Sequence, residues 1–128
     1  MGWFRRRKAP AEQVRKEGVQ RLTSRGRRDV DSEETTLDDH ETVLRWVRDL
    51  RSARHVQVFV DRSWGVVVAS SGDGEPPGVI VGDGENAWYA APPGGGKKAN
   101  LTQDQLEQLM IEVLSSPERP KWPEWHEL

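Results

Sequence analysis

The chain reads as an α+β domain: an antiparallel sheet of about four strands with two helices packed on one face, preceded by a disordered basic N-terminal arm. Three observations predict this. Apolar residues recur at helical spacing in two places, "DDHETVLRWVRDLRSA" and "QDQLEQLMIEVL". Between them lie short β-branched runs with period-two alternation, separated by Gly- and Pro-rich turns. Charge is also divided along the chain. Residues 1–30 hold ten Lys and Arg against three Asp and Glu, whereas residues 31–128 hold nine against eighteen. The net charge of −2 therefore conceals +7 on the first segment and −9 on the second. The expected organisation is a mobile arm and linker over residues 1–36 and a compact domain over residues 37–128.

Taken in order, the arm is poor in large apolar residues, with Val14, Val19 and Leu22 spaced for at most a weak helical turn or two. Three readings of it stand side by side. It is a solvated tail, or it attaches to nucleic acid or anionic lipid with Trp3 and Phe4 as an anchor, or its arginines contact the acidic domain. The acidic run "DSEETTLDDHE" then leads into the first helix, near Asp39–Ala53, where carboxylates suit the positive end of the helix dipole. Val43, Leu44, Val47 and Leu50 form its apolar stripe, flanked by Trp46.

"HVQVFV" and "WGVVVAS" read as two strands joined by a short turn at residues 61–63. "VIV" and "AWYAA" are two more, flanking "GDGEN", whose Asp83-Gly84 pair signals a hairpin. The second helix, near Gln103–Leu114, has the clearest start. Thr102 and Gln105 have capping-box spacing, and Leu101 and Leu106 that of a hydrophobic staple. Leu106, Leu109, Met110, Val113 and Leu114 form a stripe of the kind that faces a core.

Sites of chemistry are scarce. Cysteine is absent, which excludes disulfides, thiol catalysis and Cys-ligated zinc. "GGGKK" lacks the first glycine of a phosphate loop, because Ala91 stands there, and Lys98 replaces the required Ser or Thr. "GDGE" has no alternating oxygen ligands or distal Glu, so a turn is expected rather than a calcium loop. His40, His55 and His126 lack metal-ligand spacing, and no nucleophile-elbow motif is present. The expectation is a protein that is not an enzyme and carries no cofactor or metal. No apolar run is long enough to span a bilayer and no secretory signal follows the first basic residues, which makes the cytoplasm the expected compartment.

Tryptophan is the unusual residue: Trp3, Trp46, Trp64, Trp88, Trp122 and Trp125. Trp46 and Trp88 suit a core that has only two Phe and one Tyr to draw on. The segment "SSPERPKWPEWHEL" is stiffened by Pro117, Pro120 and Pro123. Such a pre-extended tail is expected to staple the last helix to the sheet. Alternatively, Trp122 and Trp125 face a partner.

The order of helix, strand meander, "NAWYAA", Leu-Thr-capped helix and "SSPERPKWPEW" resembles the small immunity proteins of bacterial polymorphic toxin systems, those of actinobacteria in particular. The resemblance covers about residues 42–125. Its most specific parts are Arg119-Pro120 with Trp125 five positions after the proline, and the pair Trp88-Tyr89 after a Gly-rich turn. The basic arm and "GDGEPPG" fall outside the pattern. The resemblance implies a protein that binds one cognate toxin, often a nuclease or deaminase, and blocks its active site. An acidic domain fits that role, because enzymes acting on nucleic acid carry basic clefts. The expected partner is a basic protein, contacted through Asp38, Asp39, Glu41, Asp73, Glu75, Asp83, Glu85, Trp88 and Trp122. Asp31, Glu33 and Glu34 extend the first acidic group, and the bland reading of all these carboxylates is solvation. Two alternatives are a nucleic-acid-associated or assembly adaptor that uses the basic arm, and a housekeeping domain of a larger complex.

Overall fold

A computed structural model of the chain describes residues 17–24, 30–51, 55–71, 76–96 and 98–128. The elements are β1 (Gly18–Ser24), β2 (Val30–Thr35), α1 (His40–Asp49), β3 (Val56–Arg62), β4 (Gly65–Ser70), β5 (Gly78–Gly82), β6 (Ala87–Ala91), α2 (Gln103–Ser115) and β7 (Glu124–Glu127). The strands form one antiparallel sheet in the order β2-β1-β3-β4-β5-β6-β7. The α+β class and the two helices agree with the sequence reading. The strand count does not: the described residues form seven strands where about four were expected. The four expected strands are β3 to β6. β7 comes from the proline-rich tail, and β1 and β2 come from the segment assigned to arm and linker. Residues 1–16, including Trp3 and Phe4, lie outside the described residues.

Alternation explains the layering. In β3, Val56, Val58, Val60 and Arg62 are buried while the residues between them are less so. Val19 of β1, Val67 and Ala69 of β4, and Val79 and Val81 of β5 continue that face. Onto it pack Val43, Trp46, Val47 and Leu50 of the first helical segment and Leu106, Leu109, Met110, Val113 and Leu114 of α2. Each such side chain contributes about 1.5–3 kcal/mol by leaving water. The α2 capping box forms as expected: the Gln105 amide donates to Thr102 Oγ1 at 3.1 Å, and the Thr102 amide to Gln105 Oε1 at 3.0 Å. The first helix is shorter than expected and ends at Asp49, with Leu50 as its cap.

Arg62 shows why β1 belongs to the domain. It is the inward-facing last residue of β3 and only 8% exposed. A buried guanidinium needs acceptors. Its Nε donates to Glu17 Oε2 at 2.9 Å, and its Nη1 donates to the Val113 carbonyl. Glu17 Oε2 also accepts the Ser63 amide at 2.8 Å. The Arg62 hydrogen bond, then that of Ser63, hold the Glu17 carboxyl below its ordinary pKa. Within β1, Arg21 pairs with Glu33 of β2 at 2.5 Å and lies over the Trp46 ring at 5.6 Å. At least one arginine of the basic segment thus contacts the acidic domain.

The tail is stapled to α2 and to β6, and is braced internally by one further bond. Trp122 Nε1 donates to Glu112 Oε1 on α2 at 3.0 Å. Trp125 Nε1 donates to the Pro120 carbonyl at 2.8 Å. β7 then pairs with β6, and the Leu128 amide reaches the Ala87 carbonyl at 2.9 Å.

Register fixes what lies at each end of the sheet. Thr35, Val19, Val60, Val67, Val81, Trp88 and Glu127 form one row across all seven strands. Just beyond this row lie the β2–α1 junction, the two-residue β3–β4 turn at Ser63 and Trp64, and the β5–β6 turn at residues 83–86. All three project from the same end of the sheet.

Candidate functional site

That end holds most of the residues singled out from sequence. At the β2–α1 junction, Asp38 and Glu41 are exposed and Asp39 is half-buried. Asp39 is the N-cap of α1: its Oδ1 accepts the Thr42 amide at 3.3 Å and its Oδ2 the Thr35 hydroxyl at 2.5 Å. Asp38 Oδ1 accepts the Thr36 hydroxyl at 2.5 Å. Hydrogen bonds from Thr35, then Thr42, hold Asp39 below its ordinary pKa, and the Thr36 hydroxyl does the same for Asp38. Both carboxylates are thereby fixed in place, and Asp39 also builds the helix start and is more than a surface charge.

About four strand spacings away, roughly 19 Å, lies the β5–β6 turn. Asp83 organises it. Its Oδ1 accepts the amides of Glu85 at 2.9 Å and Asn86 at 2.8 Å, and its own amide donates to the Asn86 carbonyl at 3.1 Å. Gly84 takes the left-handed conformation (φ 99°) that the Asp-Gly signal anticipates. The Asn86 amide, then that of Glu85, depress the Asp83 pKa, with a smaller contribution from the charge of Arg119. Glu85 is exposed at the tip of the turn.

Behind this turn is a pocket of about 240 Å³ lined by Trp64, Val81, Asp83, Trp88 and Arg119. Trp88 is half-buried: it packs against the core, as the sequence suggested, and also forms a wall of the pocket. Trp64 is fixed by donation from its Nε1 to the Ser116 carbonyl at 3.3 Å. Arg119 is half-buried, with its guanidinium carbon 4.7 Å from the Trp88 ring and 5.2 Å from the Trp125 ring.

Asp73 and Glu75 lie outside the described residues. Trp122 sits on α2, away from the turn, through its bond to Glu112. Sequence reasoning missed Trp64 and Arg119 as members of one site with Trp88. Arg119-Pro120 stood out only as part of the resemblance, with nothing to join it to Trp88, which it reaches because the tail folds back.

Among the described residues no group of three His, Cys, Asp or Glu is placed to hold a metal ion, and no helix is long and apolar enough to cross a membrane. Comparison of the chain with known protein families, curated proteins and solved structures finds no match to any of them.

Proposed function

We propose that this chain is a non-enzymatic protein-binding domain. In this reading it is an immunity protein that neutralises a cognate toxin, a nuclease or deaminase, by covering its basic active-site cleft. The observation that carries the reading is the common placement of two acidic groups. Asp38, Asp39 and Glu41 leave one corner of a single sheet end, and Asp83 and Glu85 leave the other. A face roughly 19 Å wide suits a protein interface of ordinary size, near 800 Å² per partner. Hydrogen bonds from neighbouring hydroxyls and amides fix the positions of the Asp38, Asp39 and Asp83 carboxylates and lower their pKa further below neutral pH. A fixed negative face speeds encounter with a positive cleft.

The test is capture from the native host with the full chain as bait, followed by association kinetics. Asp38→Lys with Glu85→Lys is the informative pair, because neither side chain caps a helix or organises a turn. Association with a basic protein partner should slow by about tenfold or more at low salt and lose most of its salt dependence. Capture of nucleic acid without protein, dependent on Arg5, Arg6 and Arg7, would favour the adaptor reading instead.

A further inference from the structure

We infer that the pocket between Trp64, Trp88 and Arg119 is a socket for one carboxylate side chain, an Asp or Glu of the protein partner. The inference rests on the protein-binding reading and names what the partner inserts at the β5–β6 corner.

The argument begins with Arg119. A guanidinium carries five N–H donors in a planar fork. Contact with the Trp88 and Trp125 rings satisfies its charge in part and supplies no hydrogen-bond acceptor in the plane of the fork. Among the described residues, no carboxylate pairs with Arg119 and no carbonyl accepts from it. Its nitrogens reach solvent, so the fork is open to an incoming acceptor. The fork lines a pocket, so the acceptor it suits is one that enters from outside.

The pocket selects the acceptor by size and chemistry. About 240 Å³ is below the range of most small-molecule sites and admits a single side chain. Val81 and the indoles of Trp64 and Trp88 give apolar walls for a methylene stem. A planar carboxylate matches the guanidinium fork with two parallel hydrogen bonds. Asp83 lines the same pocket and its charge and that of Arg119 act on each other, but its Oδ1 is held by the Glu85 and Asn86 amides and no ion pair joins it to Arg119, so the fork stays open. Tryptophan and arginine packed together are also the composition of interface hot spots. A basic cleft that handles nucleic acid commonly contains acidic groups for metal or proton chemistry. The acidic corners would meet the basic rim, and Arg119 would meet an acid inside it.

The test reads the pocket without the partner. The isotope-labelled full chain is titrated, at constant ionic strength, with N-acetyl-glutamate amide, N-acetyl-glutamine amide or N-acetyl-lysine amide. The Trp88 indole N–H and Arg119 Nε–H resonances are followed by NMR. The capped glutamate should shift both saturably, with half-saturation on the order of 1–10 mM for so small a ligand. The capped glutamine should bind about tenfold more weakly, and Arg119→Lys should weaken the glutamate probe by about tenfold by removing the fork. Absence of saturable shifts in the unaltered chain overturns the inference. So does equal response to glutamine, preference for the lysine probe, or an unchanged response in a folded Arg119→Lys variant. Failure here leaves partner capture and its dependence on Asp38 and Glu85 standing, so the two readings fail separately.

Discussion

Replacing Trp125 by alanine tests whether the C-terminal tail is structural. The indole is half-buried on β7, opposite Ala90 of β6, with its N–H on the Pro120 carbonyl at 2.8 Å and Arg119 at 5.2 Å from the ring. A tryptophan side chain offers about 200 Å² of surface, so half-burial withdraws roughly 100–150 Å² from water. At about 25 cal/mol per Å² this is worth some 2.5–4 kcal/mol. The lost hydrogen bond adds about 1 kcal/mol, while relaxation of a tail at the sheet edge returns part of the sum. The expected loss is about 2–4 kcal/mol. With a urea dependence near 1.5 kcal/mol per molar, the denaturation midpoint of the isolated protein should fall by roughly 1.3–2.7 M. Trp125→Phe keeps an aromatic ring but a smaller one and loses the N–H, and should cost about 1 kcal/mol for the bond plus a packing term, less in total than Trp125→Ala. An unchanged midpoint for Trp125→Ala, together with lost partner binding, would refute the structural assignment and move this side chain to the interface.

Other outcomes follow from the cap and from the sheet order. Asp39→Ala should lower the midpoint at neutral pH by removing the α1 cap and its bond from Thr35. Because the folded pKa of Asp39 is depressed, its stabilisation is present above the unfolded value, near 4, and is lost as pH falls through the lower folded value. The variant and the unaltered protein should therefore converge in stability below that window, and a constant difference down to the lowest pH would contradict it. A chain that begins at residue 31 lacks β1, which hydrogen-bonds both β2 and β3. It should lose cooperative unfolding and dispersed amide resonances, whereas a native-like spectrum would show that β1 is dispensable.

The parts of the fold that were legible in sequence are those whose physics is local. The α2 start needs only Thr102 and Gln105 three residues apart, and the β5–β6 turn needs only Asp83-Gly84. β3 carries valines in period-two alternation, and β4 a run of three consecutive valines bounded by turn residues. β1 and β2 lack such a pattern. β1 places Val19, Arg21 and Thr23 on the helix-facing side, so a single residue, Val19, reaches the core. Its hold comes from ladder bonds on both sides and from Glu17 beneath Arg62, none of which is local. β2, an outer strand with charged faces, has almost no apolar signature. The candidate site divides in the same way. Its carboxylates were visible as charges. Their arrival at one sheet end depends on register, and the meeting of Trp88 with Arg119 depends on the tail.

The sheet's two outermost described strands have a consequence for how copies of the molecule treat each other. β2 carries Asp31, Glu33 and Glu34, and β7 carries Glu124 and Glu127. An open strand edge is a template on which another molecule can continue the hydrogen-bond ladder. Here either continuation, β7 on β2 or β2 on β2, would bring carboxylates face to face. Each close pair would cost about 1 kcal/mol even in water-like surroundings. At neutral pH this repulsion would oppose growth of the sheet from its outermost described strands, less so at Glu33, whose charge Arg21 already meets. The protection is electrostatic, so acid or high salt would remove it while leaving the ladder geometry intact.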